Sequence, residues 1–168
     1  MSVELDVRLS GPLNAEDLLQ RSRAQLGAMV NCPDLPMLIG QGLQKGRATP
    51  LIPDQMLVPG KMLLISTDQP APCTVSVVAT EIPGHDNQAG LWMTVKVETR
   101  VPAAFALAIA VAVAAAGGGE ILDESRFWYP ARTVAAAEVA KALTLQSEST
   151  DFLQAAESFY AALPKGRP

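Results

Sequence analysis

The single histidine of the chain, His85, stands in Pro83-Gly-His-Asp-Asn87, a run of turn formers that places it at a hairpin tip. One imidazole cannot build a multi-histidine metal site, and no H-E-x-x-H pair is present. The plain reading is an exposed turn histidine; a general base would need a carboxylate that orients the ring, and Asp86 beside it in sequence supplies no such geometry. The two cysteines, Cys32 and Cys73, form no C-x-x-C, which fits free thiols in a reducing compartment. A nucleophilic thiol requires a lowered pKa and usually a base, whereas free cysteine is commonly a small buried hydrophobe. Neither a G-x-S-x-G elbow nor a G-x-x-x-x-G-K-[ST] phosphate loop occurs. Gly40-Gln-Gly-Leu-Gln-Lys-Gly46 misses the dinucleotide-binding spacing by one residue and is read as a flexible loop. No cofactor is expected, and no metal.

Two carboxylate pairs remain. Glu16-Asp17 lies in the first turn of a helix, where acids complement the helix dipole. The second pair opens Asp123-Glu-Ser-Arg-Phe-Trp-Tyr-Pro130, which sets three aromatics in consecutive positions among two acids and Arg126, with Arg132 just beyond. Trp, Tyr and Arg are enriched at binding hot spots because each combines a large contact area with a polar end. Asp123, Glu124, Arg126, Trp128 and Tyr129 are therefore the candidate partner-binding residues. The competing reading has alternate rings plugging the edge of the core while Asp123 and Ser125 cap a turn. A catalytic carboxylate pair ranks third, since no partner base, metal ligand or oxyanion donor can be named beside it. No catalytic residue is assigned.

Something must hold that segment. The chain has 168 residues, 49% hydrophobic and 18% charged, which suits one domain and excludes global disorder. Thirteen basic against seventeen acidic residues give a net charge of −4, so there is no electrostatic footprint for nucleic acid. The N-terminus alternates charged and apolar residues without an apolar h-region, and so does not read as a signal peptide. Residues 101–119 are uncharged but rich in alanine and glycine, which favours a buried core helix over a membrane span. The expected location is the cytoplasm, with no membrane association.

Period two from Val3 to Leu9 predicts a strand, and Ser10-Gly-Pro12 ends it. Asn14 caps a helix carrying Ala15, Leu18, Leu19, Ser22, Leu26 and Met29 at helical spacing. Prolines and glycines then break residues 31–60, leaving room for a short edge strand at Leu35–Ile39. Residues 50–59 are apolar and irregular, either a loop that covers the core or a recognition loop. Three strands follow as an antiparallel meander: Lys61–Thr67, Cys73–Thr80 and Gly90–Thr99. Next comes a helix from Pro102 with Phe105, Ile109 and Val113 on one stripe, stopped by Gly117–Gly119, and then a short strand at Glu120–Asp123. Thr133 is expected to cap a helix to Gln146, and Ser149 or Thr150 another, whose apolar face is Phe152, Ala156, Phe159, Tyr160 and Leu163. Residues 1–163 form one domain on this reading, and 164–168 a frayed tail. The fold class is α+β: a mainly antiparallel sheet with helices packed on one face, a ferredoxin-like variant with two extra C-terminal helices.

The alanine-rich helix running into Gly117–Gly119, the strand Glu120–Leu122 and then Asp123-Glu-Ser-Arg-Phe-Trp128 together resemble a segment of small bacterial proteins. Some of these are associated with immunity to polymorphic toxins. The likeness covers about residues 101–130. It implies a catalytically inactive, cytosolic, often acidic protein that blocks a toxin domain by direct contact. The mild acidity and the lack of a catalytic set agree with that. The leading expectation is thus a non-enzymatic protein-binding module whose partner is a protein, such as a cognate toxin domain. The alternative is a small-molecule-binding domain or enzyme using a pocket between sheet and helices, with His85, Cys73 or Asp123 involved. A third is a structural subunit that self-associates through the 50–59 loop.

Overall fold

The computed structural model describes residues 2–8, 13–67, 74–81, 89–96, 100–122 and 133–162. Their elements run β1 (Ser2–Arg8), α1 (Ala15–Val30), β2 (Leu38–Gln44), β3 (Arg47–Pro50), β4 (Met62–Thr67), β5 (Thr74–Glu81) and β6 (Ala89–Lys96). Then come α2 (Arg100–Ala116), β7 (Glu120–Leu122), β8 (Thr133–Ala135), α3 (Ala136–Leu143) and α4 (Phe152–Ala162). The strands form one sheet in the order β3-β2-β4-β5-β6-β1-β7-β8, with every neighbouring pair antiparallel. The chain is α+β, as its patterning predicts.

α1 begins where the sequence says. The Asn14 side chain accepts a hydrogen bond from the Asp17 backbone N–H at 2.7 Å, satisfying a donor that has no partner inside the helix. A cap is worth about 1 kcal/mol. Burial of Leu18, Leu26 and Met29, each worth about 1.5–3 kcal/mol, outweighs it and fixes which face turns inward. The helix ends at Asn31, whose left-handed backbone (φ 49) leads the chain away.

α2 is the buried core helix that its composition predicts. Ile109 and Val113 are fully buried, but so is every residue from Ala108 to Ala114, and seven consecutive residues cover about two turns. Protein therefore surrounds the helix, with α1, α3, α4, β5 and β6 all packing against it. Alanine makes this possible, because a methyl side chain lets neighbours approach from any direction. Phe105's side chain lies outside the described set. Among the described residues no helix is long and apolar enough to cross a membrane.

Residues 38–50 form a hairpin where sequence reasoning expects a breakdown of pattern. The short strand expected at Leu35–Ile39 begins instead at Leu38 and runs on to Gln44, paired with β4 on one side and β3 on the other. Lys45 and Gly46 make the turn, both at positive φ (50 and 77), as a two-residue type I′ turn requires. Gly40 is not a loop glycine. An added Cβ there would meet Leu19 Cδ1 of α1 at 2.5 Å and Leu51 Cδ2 at 3.1 Å, so its missing side chain is the space that admits the helix. The edge strand is β3, in which alternate pairing with β2 turns the backbone of Ala48 and Pro50 outward. Pro50 has no N–H to offer there, which blunts the edge.

The C-terminal half brings two more corrections. Thr133 caps no helix; it starts β8, which pairs with β7, and α3 follows directly from Ala135 without a side-chain cap. The cap of α4 is Asp151 rather than Ser149 or Thr150: its Oδ1 accepts from the backbone N–H groups of Leu153 at 2.9 Å and Gln154 at 3.4 Å. Ser149 supports this turn by accepting from the Asp151 N–H at 3.3 Å. Phe152, Ala156 and Phe159 are buried as expected, together with Ala155, while Tyr160 is partly buried and Leu163 lies outside the described residues. The link between α3 and α4 closes on the end of α1, where Leu145 N–H donates to Met29 O and Ser149 N–H to Asn31 O.

Candidate interaction surface

Asp123, Glu124, Arg126, Trp128 and Tyr129 all belong to 123–132, outside the described residues, as do His85, Cys73 and the 164–168 tail. The residues that flank 123–132 are described. Leu122 closes β7 and Thr133 opens β8, and the two are register partners, so both ends of the segment are anchored side by side. Leu122 also pairs with Asp6 of β1. Through Asp6 the same register row continues to Trp92 of β6, Val78 of β5 and Met62 of β4. One row of the sheet thus ends at the anchors of the aromatic segment.

Burial separates the two sides of the described strands. Leu63, Ile65 and Thr67 of β4 and Val75, Val77 and Ala79 of β5 are buried, whereas Met62, Leu64, Ser66, Ser76, Val78 and Thr80 alternate with them and stay partly exposed. Val7 and Ile121 belong to the buried set; Asp6, Arg8 and Leu122 to the other. The partly exposed side is a mixture of apolar and hydroxyl residues with few charges. Its ion pair between Arg8 and Glu120 spans 3.9 Å with both side chains about half exposed, a geometry that contributes little stability.

A second feature lies at the opposite edge. Among the described residues the large hydrophobic side chains left exposed are Met37, Ile39, Ile52, Met56 and Val58, with Met37 62% and Ile52 63% accessible. All five fall in or beside β2 and the 51–60 connection, although single exposed hydrophobics are normally scattered. The connection is held in place. Gln55 O accepts from Ala15 N–H at 2.9 Å, Pro53 O accepts from Glu16 N–H at 3.3 Å, and Leu57 N–H donates to Leu13 O at 2.9 Å. It therefore satisfies first-turn donors of α1 while presenting Ile52, Met56 and Val58 outward. The reading of 50–59 as a loop that covers the core holds at Leu57 and Leu51, which pack inward; Ile52, Met56 and Val58 do not. Lys45, Arg47 and Lys61 are exposed at the hairpin end of the same region, and none makes an ion pair with a described residue.

Cys32 is buried, and its Sγ lies 3.5 Å from the carbonyl oxygen of Asp34, to which the thiol donates. Among the described residues no three His, Cys, Asp or Glu side chains are placed to hold a metal ion. The described residues thus leave five large hydrophobics exposed in and beside β2 and the 51–60 connection, where Lys45, Arg47, Asp54 and Lys61 are also exposed, and a sheet row that leads to the anchors of 123–132. Pro53 and Pro59, which follow Ile52 and Val58, are the sequence signal for this connection: each stands at the second position of a turn, closed by Gln55 N–H to Ile52 O at 2.9 Å and by Lys61 N–H to Val58 O at 3.1 Å. Comparison with known proteins adds nothing to this picture: no family model, no curated protein and no solved structure matches the chain.

Proposed function

We propose that this chain is a non-enzymatic protein-binding module, an immunity-type inhibitor that neutralises a bacterial toxin domain by direct contact in the cytoplasm. Asp123, Glu124, Arg126, Trp128 and Tyr129 supply the hot spot in this reading. The observation that carries it is the concentration of exposed large hydrophobic residues at the β2 edge and the 51–60 connection, on backbone pinned to α1. Rigid apolar anchors bind a protein partner with little ordering cost, as hot spots do. The anchoring of 123–132 between two paired strands supports the same reading, because a binding segment is best presented from fixed ends.

The finer architecture belongs to the proposal as well. The inner order β5-β6-β1-β7, with α1 following β1 and α2 joining β6 to β7, supports a ferredoxin-like core. The hairpin β2–β3 with β4, and then β8, α3 and α4, are additions to it. The alternation of burial supports helices on one face and leaves the partly exposed face to a partner.

The test is a binding titration against the product of the adjacent gene, with Trp128→Ala/Tyr129→Ala and Ile52→Asp/Met56→Asp as the variants. A loss of affinity of tenfold or more at unchanged melting temperature is expected of both pairs, and no loss in Ile52→Asp/Met56→Asp would remove the observation on which the reading rests. If the wild-type chain binds no protein tighter than about 10 μM, or about −7 kcal/mol, the reading fails.

A further inference from the structure

We draw no further inference here: the strongest candidate, the exposed apolar cluster of Met37, Ile39, Ile52, Met56 and Val58 beside the β2–β3 edge, belongs to the surface already described and nothing in the structure shows what covers it.

Discussion

Gly40 offers a sharp test of how α1 meets the sheet. Replacing it with alanine puts a Cβ 2.5 Å from Leu19 Cδ1, about 0.9 Å inside the 3.4 Å at which ordinary contact starts, and 3.1 Å from Leu51 Cδ2. Both obstructing atoms are the far ends of leucine side chains that are only partly buried, so they can rotate rather than force the backbone apart. Overpacking of this kind costs about 1–3 kcal/mol. Against it, alanine restricts the unfolded chain and returns about 0.4–1 kcal/mol. The expected net loss for Gly40→Ala is about 1–2 kcal/mol, or roughly 2–8 °C in melting temperature for a chain of this size. Stability is read from urea midpoints and thermal melts of Gly40→Ala, Leu19→Ala and the double variant. Leu19→Ala alone removes packing and destabilises, but it also clears the space that the new methyl needs. In that background Gly40→Ala is expected to be neutral or stabilising, giving a coupling energy of about 1–2 kcal/mol. If the two substitutions simply add, within about 0.5 kcal/mol, Leu19 does not sit over Gly40 and the placement of α1 on β2 is wrong.

Three further outcomes follow from individual side chains. The Ser22 hydroxyl is buried in α1 and has no hydrogen-bond partner among the described residues, so Ser22→Ala should leave stability unchanged or raise it by about 1 kcal/mol; a clear drop in urea midpoint would reveal a bond that this packing does not contain. Asn14→Ala should lose about 1 kcal/mol through the cap and Asn14→Ser, which keeps a neutral acceptor oxygen, should retain most of it, as measured by thermal denaturation; equal loss in both would mean that the side chain is not capping α1. Lys45 occupies the left-handed region at a turn position that suits glycine or asparagine, and Lys45→Gly should therefore stabilise the β2–β3 hairpin by about 1 kcal/mol, seen as slower hydrogen exchange of the Gly42 and Thr49 amides; faster exchange would count against the turn geometry.

Much of the local structure was legible because it is encoded locally. Period-two alternation marked β1, the Asn14 cap and apolar spacing marked α1, and the glycine run marked the end of α2. The β4-β5-β6 meander followed from three strand-like runs separated by turn formers. Where sequence reasoning erred, the deciding interaction came from elsewhere in the chain. Gly40 and Gly42 look like loop residues until α1 and the Thr49 side chain occupy the room that their missing side chains leave. Thr133 has the composition of a cap, but β7 stands beside it and pairs with it first. For the surface, residue types nominated the aromatic 123–130 segment and the apolar 50–59 loop, yet could not say which of Ile52, Met56, Leu57 and Val58 point outward.

By itself, the amino-acid order determined the α+β class, the sites where most helices and strands begin and stop, and the poverty of metal-binding and catalytic motifs. These depend on backbone preferences, side-chain periodicity and residue inventory, all of which act within a few positions. Only the tertiary structure decided the strand order, the enclosure of Ala108–Ala114 of α2 and the outward turn of Ile52, Met56 and Val58. Those outcomes depend on which distant segment fills a given space or accepts a given N–H. No window of neighbouring residues contains that information.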